Sequence, residues 1–186
     1  SFAWNMGFNY AYFKSEVLSI MAGLDEIPIE YSSYITVGRQ FPNIKVTDVV
    51  RDPQGRIVVD KNTGLPSVAG PLVEVGHGNP NHIFGVNTDF NFKNFRLSAL
   101  AEYRGGNVIN NRVANALDFT GISEHSALNG RQSFIIPNSV IETSKGVFEP
   151  NTTALVRQAS RQFWVNSAYH TTDRGGVTSA AFWKLR

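Results

Sequence analysis

The four histidines are the first residues to consider for metal or catalytic chemistry in this chain of 186 residues. His77 and His82 flank the turn sequence at residues 78–80, without the i, i+4 spacing that would place two zinc ligands on one helix face. His125 follows an acidic residue in a polar stretch, and His170 precedes two threonines. We interpret the latter two as solvated or loop-packing side chains, and the sequence predicts no metal site.

Carboxylates are the second possible source of chemistry, since glycoside hydrolysis uses a pair of them. Asp25 and Glu26 are adjacent in a turn-rich stretch, which is typical of a solvated pair. The stretch from Asp52 to Asp60 lacks the twelve-residue spacing and terminal Glu of a calcium-binding loop, so we interpret it as two turns. No nucleophile elbow, P-loop or dinucleotide-binding fingerprint is present. The sequence therefore predicts no enzymatic activity and no cofactor.

The chain is organised around residues 83–104, which read as two long β-strands joined by a tight turn at Lys93 and Asn94. Side chains alternate along both arms, with only Leu100 out of pattern. One face carries Phe84, Val86, Thr88, Phe90, Phe92, Phe95, Leu97, Ala99, Ala101 and Tyr103. About ten alternating residues suit a strand tilted across a bilayer, whereas strands of soluble proteins usually have five or six.

Two further strands are predicted at the ends of the chain. From residue 2 to residue 12, aromatic residues and methionine alternate with small or amide residues, which suit a crowded polar interior better than a solvated outer face. Residues 177–186 show a weaker alternation, with Trp183 and Leu185 on one face. Because the chain begins and ends in mid-pattern, we expect it to be a piece of a longer protein.

Composition excludes several classes of protein. The formal net charge is +2 without a basic run, so no nucleic-acid partner is indicated, and there is no cysteine for disulfides or thiolate metal sites. No apolar run reaches the 18 to 20 or so residues that a membrane helix needs. The 12% of aromatic residues, the 16 glycines and only 17% of charged residues favour β-structure.

The order of segments predicts the topology. Residues 14–80 and 105–176 are long excursions rich in turns, in which residues 56–60 are a candidate short strand and residues 16–24 suit either a short helix or a packed loop. Strands joined alternately by a two-residue turn and long loops are the rule in outer-membrane barrels. We therefore predict an all-β, antiparallel transmembrane β-barrel fragment with about four spanning strands and two long extracellular loops. Four strands cannot close a barrel, so other chain must complete it.

The alternation places four charged residues on one face of the predicted hairpin. Asp89, Arg96, Glu102 and Arg104 lie on the polar face, and placing them in lipid would cost several kcal/mol. We predict that they face the lumen and pair with one another or with a plug. A structural network is favoured over a substrate site.

Several segments resemble one family. The sequences GNPNHIFGVN at residues 78–87 and FNFKNFRLS at residues 90–98 are similar to the C-terminal hairpin of SusC/RagA-type TonB-dependent outer-membrane transporters. Residues 60–66, 104–110, 131–137 and 182–186 also resemble that family in the same order. The departures are His82, where Pro or an acidic residue is usual, and Phe92 in place of Tyr.

The resemblance implies that residues 1–186 are the C-terminal part of a plugged barrel of about 22 strands. It implies an outer-membrane location, energy from TonB through an N-terminal part outside these residues, and a SusD-like surface lipoprotein that delivers oligosaccharides or peptides. Loop residues are then candidates for contacting the ligand or the lipoprotein lid; they are Phe163, Trp164, Arg131 and His125. The alternatives are a soluble β-sandwich for binding or adhesion and a glycan-degrading enzyme.

Overall fold

The computed structural model describes residues 2–30, 32–67, 70–124, 127, 130, 132–155 and 176–186. These residues form mainly β-sheet with antiparallel pairing, together with helix α1 (Arg112–Thr120), which confirms the all-β class. The strands in chain order are β1 (Phe2–Tyr12), β2 (Glu26–Glu30), β3 (Ser33–Thr36), β4 (Asn43–Thr47), β5 (Ile57–Val59), β6 (Leu72–His77), β7 (His82–Phe92), β8 (Phe95–Gly105), β9 (Val108–Asn110), β10 (Ser139–Ser144), β11 (Val147–Pro150), β12 (Val177–Ser179) and β13 (Phe182–Leu185). No helix in the described part of the chain has the length and apolar character needed to cross a membrane.

The largest sheet contains the predicted long strands in the order β1-β7-β8-β13. β1, β7 and β8 each have 11 residues, or about 35 Å at 3.2 to 3.4 Å per residue. Their pairing is antiparallel and unbroken, from Phe2 opposite Phe92 to Tyr12 opposite His82 and on into β8. Lys93, at φ 53°, forms the two-residue turn with Asn94. The predicted strand at residues 2–12 and the predicted hairpin are thereby confirmed.

The last predicted strand is divided in two. β12 pairs with β9 in a two-stranded sheet, and β13 alone joins the long sheet, with Trp183 opposite Tyr103. Main-chain hydrogen bonds continue this pairing from Leu100 to Arg186. Residues 180 and 181 separate the two strands, so the segment does not run as one strand of ten residues.

The first excursion contains more regular structure than its sequence pattern predicts. β2, β3, β4 and β6 form a second four-stranded sheet in that order. Residues 16–24 form neither helix nor strand. The main chain of Val17 is hydrogen-bonded to Gly38 and Arg39, at 2.8 and 2.9 Å, so the segment is a loop held by the turn after β3.

Distant parts of the two excursions fold together. The chain divides into a first unit of Ser1–Ile44, Gly76–Ile109 and Ser179–Arg186, and a second unit of Lys45–Val75 and Asn110–Thr178. In the second unit β5 pairs in parallel with β10, and β10 forms a hairpin with β11. Val59, Ile136 and Leu155 are buried together beneath these strands. The strand expected at residues 56–60 is confirmed at Ile57–Val59, and the two excursions predicted as long, turn-rich loops also contain short strands and helix α1.

We expect Gly64→Ala to destabilise the second unit more than Gly55→Ala. Both glycines have positive φ, 72° and 80°, so an alanine at either is strained by about 1–2 kcal/mol. A Cβ on Gly64 would also lie 3.1 Å from the carbonyl oxygen of Thr153, whereas one on Gly55 would meet nothing within 4 Å. Overpacking against main chain adds about 1–3 kcal/mol. Hydrogen exchange of the β5 amides measures both costs, and equal costs would contradict the packing of residue 64 on Thr153.

Candidate functional site

The long sheet has one face made almost entirely of large apolar side chains, which we call the aromatic face. Direct cross-strand partners share this face, because opposed residues of antiparallel strands point the same way. It consists of Phe2, Trp4, Met6, Phe8, Tyr10, Tyr12, His82, Phe84, Val86, Thr88, Phe90, Phe92, Phe95, Leu97, Ala99, Ala101, Tyr103, Trp183 and Leu185. Many of these side chains are more than half exposed, including Phe8 at 64% and Trp183 at 62%.

Ring contacts connect the four strands across the aromatic face. The rings of Phe84 and Trp183 meet edge to face at 6.2 Å, and those of Tyr103 and Trp183 lie 5.2 Å apart. Phe8 stacks on Phe84 at 6.4 Å. Such pairs add about 0.5–1.5 kcal/mol each beyond their burial. The rings therefore stabilise the pairing while remaining open to the surroundings.

Two side-chain hydrogen bonds join β1 to β7 on the aromatic face. Trp4 Nε1 donates to Thr88 Oγ1 at 2.9 Å, and Thr88 lies opposite Met6, near the middle of the two strands. At the His82 end of β7, Tyr10 Oη and His82 Nδ1 share a hydrogen bond of 2.8 Å, and the ring of Tyr12 lies 5.2 Å from that of His82. Sequence reasoning considered His82 as a metal ligand and as a departure from a family pattern, and missed its place on this face.

The opposite, polar face holds the four charged residues predicted from alternation. Arg96 Nη2 lies 3.3 Å from Asp89 Oδ1, which also accepts a 2.5 Å hydrogen bond from Ser98 Oγ. Arg104 Nε lies 2.9 Å from Glu102 Oε1. Asp89 is opposite Ser98, whereas Glu102 is opposite Gly85, four residues away on β7. The four residues therefore share one face of the sheet and form two separate ion pairs there.

Two glycines of the polar face make room for asparagines on the neighbouring strand. Gly7 is paired with Asn87, and Gly85 with Asn9. A Cβ on either glycine would collide with the side-chain oxygen of its partner. The amide groups therefore lie across the strands in the space that the missing side chains leave. The sequence pattern indicated small and amide residues here but not this interlocking.

Two aspartates organise the turns of the second unit. Buried Asp52 accepts main-chain hydrogen bonds from Gln54 and Arg56 and a 2.7 Å bond from Arg56 Nε. Burial acts to raise the pKa of Asp52, but these hydrogen bonds and the guanidinium hold it below its ordinary value of 3.8. Hydrogen bonds from Thr63 likewise lower the pKa of Asp60. Both stretches are turns, as predicted.

The remaining candidates contribute no metal centre in the described residues. His77 lies between Asn79 O and Asn81 Nδ2, at 2.8 and 3.2 Å, so both ring nitrogens have protein partners. No group of three or more His, Asp or Glu that could hold a metal ion occurs in the described ranges. The candidate loop contacts fall outside those ranges; they are His125, Arg131, Phe163 and Trp164. Neither a scan against protein-family models nor a search of the curated proteins finds a match to this chain.

We expect the Asp52 turn to weaken in acid. Because the folded pKa is lowered, the stabilisation is present above the ordinary value of 3.8 and is lost as pH falls below it. The protection of the Gln54 and Arg56 amides against hydrogen exchange, relative to intrinsic rates, should fall between pH 6 and pH 3. Asp52→Asn should lower protection at pH 6 and remove this pH dependence, while Asp25→Asn, at an exposed carboxylate of the first unit, should change neither. A wild-type response that persists in Asp52→Asn would contradict the assignment.

The glycine and asparagine pairs can be tested by a double-mutant cycle. Gly85→Ala should cost about 1–3 kcal/mol, because its methyl group meets Asn9. Adding Asn9→Ala should recover most of that loss, since the space is vacated. Urea denaturation followed by tryptophan fluorescence provides the measurement. Simple additivity of the two substitutions would show that the side chains do not interlock.

Proposed function

We propose that this chain forms part of the barrel wall of an outer-membrane TonB-dependent transporter of the SusC/RagA type. The transporter would import oligomeric nutrients, glycans or peptides, together with a SusD-like surface lipoprotein. One observation carries the proposal: large apolar side chains of the aromatic face are more than half exposed on β1, β8 and β13, in a sheet whose three long strands have 11 residues each. Strands of this length match a tilted crossing of a bilayer.

Exposing the aromatic face to water would be energetically unfavourable, and this supports contact with lipid. Each aromatic side chain has about 150–250 Å² of surface, and soluble monomers rarely expose contiguous apolar patches larger than a few hundred Å². Lipid tails would cover the exposed apolar side chains of this face, such as Phe8. The Tyr10–His82 hydrogen bond and the ring of Tyr12, at one end of the strands, would then lie at an interface, where amphipathic rings are enriched.

The polar face would line the lumen. Its two ion pairs, Asp89–Arg96 and Glu102–Arg104, satisfy carboxylates and guanidinium groups that would be costly in hydrocarbon. The short Lys93-Asn94 turn would face the periplasm, since short turns lie on that side of such barrels. TonB would act through an N-terminal part of the transporter outside this chain, and no catalytic role is assigned to the described residues.

A soluble β-sandwich is the competing proposal. In a sandwich, the aromatic face would pack against a second sheet about 10 Å away. Phe8 and Tyr10 are 64% and 62% exposed, and among the described residues of the first unit no second sheet packs on them. This exposure favours the membrane proposal over the sandwich.

Single cysteines at neighbouring residues test the proposal, because the chain contains no cysteine of its own. Phe8→Cys and Asn9→Cys lie one residue apart on opposite faces of β1. In the native membrane, a label at residue 8 should be strongly quenched by nitroxide lipids with mid-chain spin labels, and a label at residue 9 weakly. Stronger quenching at residue 9, or none at either residue, would refute the lipid-facing assignment.

A further inference from the structure

The polar face of the long sheet carries exposed cations on its last strand, β13. Phe182 is opposite Arg104 on this face, and the next side chain of β13 to share it is Lys184, opposite Glu102. Arg186 follows on the same face, because its main-chain N–H and carbonyl groups continue the pairing with β8. Lys184 and Arg186 are both exposed. We call Arg104, Phe182, Lys184 and Arg186 the cationic patch.

The charges of the polar face do not cancel. Its two carboxylates each have an arginine within 3.3 Å. Lys184 and Arg186 form no ion pair with any residue in the described part of the chain, although Glu102 is the direct cross-strand neighbour of Lys184. With both carboxylates counted as negative, four cationic side chains on the face leave a net side-chain charge of +2. An anionic ligand would complement this charge.

The uncharged side chains near the patch suit a sugar. The ring of Phe182 is 47% exposed, and the apolar C–H face of a sugar ring can pack on such a ring. The side-chain amides of Asn9 and Asn87 are exposed and lie across Gly85 and Gly7. A side-chain amide both donates and accepts hydrogen bonds, as a sugar hydroxyl does. The face therefore combines an aromatic ring, amides and uncompensated cations.

The pairing of the strands favours a glycan over an extended peptide at this surface. Peptides that bind to sheets usually add to an unpaired strand edge, whereas the main chains of β1, β7 and β8 are already paired along their length. A ligand on this face must therefore bind through side chains. Asn9 and Lys184 lie in one row across the sheet, three strand spacings or about 14 Å apart. An oligosaccharide of a few residues covers this distance.

We propose that the cationic patch binds an anionic oligosaccharide, with carboxylate or sulfate groups on its sugar rings. An anionic group contacts Lys184 and Arg186, and a neighbouring sugar ring packs on Phe182. Hydroxyl groups further along the glycan bond to the amides of Asn9 and Asn87. This inference rests on the proposed function, because it needs the polar face to line the lumen, and it deepens that function by naming a substrate class.

Isothermal titration calorimetry with the full-length protein in detergent micelles tests the patch. The probes are tetragalacturonate, tetraguluronate and a heparin tetrasaccharide, with fully methyl-esterified tetragalacturonate as the uncharged control. We expect saturable binding of a carboxylated or sulfated probe and the weakest binding for the ester. Lys184→Gln should weaken Kd about tenfold and Phe182→Leu about fivefold. Lys145→Gln, at an exposed lysine in the β10–β11 turn of the second unit, should leave Kd unchanged.

The choice of probes keeps the test decisive even if a protein variant folds poorly. No saturable binding of any acidic glycan up to about 1 mM, or equal effects of Lys184→Gln and Lys145→Gln, would overturn the site. An ester that binds as tightly as tetragalacturonate would overturn the role of charge. Tetraglutamate that binds more tightly than every glycan would overturn the ligand class.

The lipid-quenching measurement separates this inference from the proposal on which it rests. Strong quenching at residue 8 and weak quenching at residue 9, together with no glycan binding, would refute the cationic patch alone. Stronger quenching at residue 9 would place the polar face against lipid and would refute the barrel-wall proposal itself.

Discussion

The unbroken main-chain pairing of β1, β7 and β8 is the constraint on which the long sheet depends. Because side chains alternate with a period of two, a shift of one strand's register by one residue would move every ring of that strand from the aromatic face to the polar face. The Lys93-Asn94 turn sets the register of one pair, and the interlocked Gly7–Asn87 and Gly85–Asn9 pairs favour that of the other. This register determines which side chains lie on each face and which of them are opposite one another.

The two faces of the long sheet differ in the kind of side chain that they expose. Rings on the aromatic face contact one another across strands but keep much of their surface exposed. On the polar face, each carboxylate is matched by an arginine within 3.3 Å. Exposed pairs of this kind contribute little stability in water, and their value rises where water is excluded. The sheet thus carries exposed apolar rings on one face and paired charges on the other.

Local periodicity made the long sheet predictable, whereas the second unit depends on contacts that no local pattern encodes. Residues 2–12 and 83–104 repeat one alternation long enough to identify strands, faces and even the ion-pair residues. β5 and β10 are short, and their pairing joins Val58 to Val140, far apart in the chain. Residues 180 and 181 interrupt the last predicted strand, since tertiary pairing of β12 with β9 overrides a weak alternation.

The parallel pairing of β5 with β10 also has a consequence for the order of folding. The hairpin of β7 and β8 lies between these strands in the chain, so it is complete in the sequence before β10 is synthesised. Closing so long a loop is entropically unfavourable when the intervening chain is unstructured, and pairing between distant strands is slow. A hairpin that has already formed brings residues 82 and 105 together, which shortens the effective loop. A formed β7–β8 hairpin thus lowers the entropic cost of pairing β5 with β10.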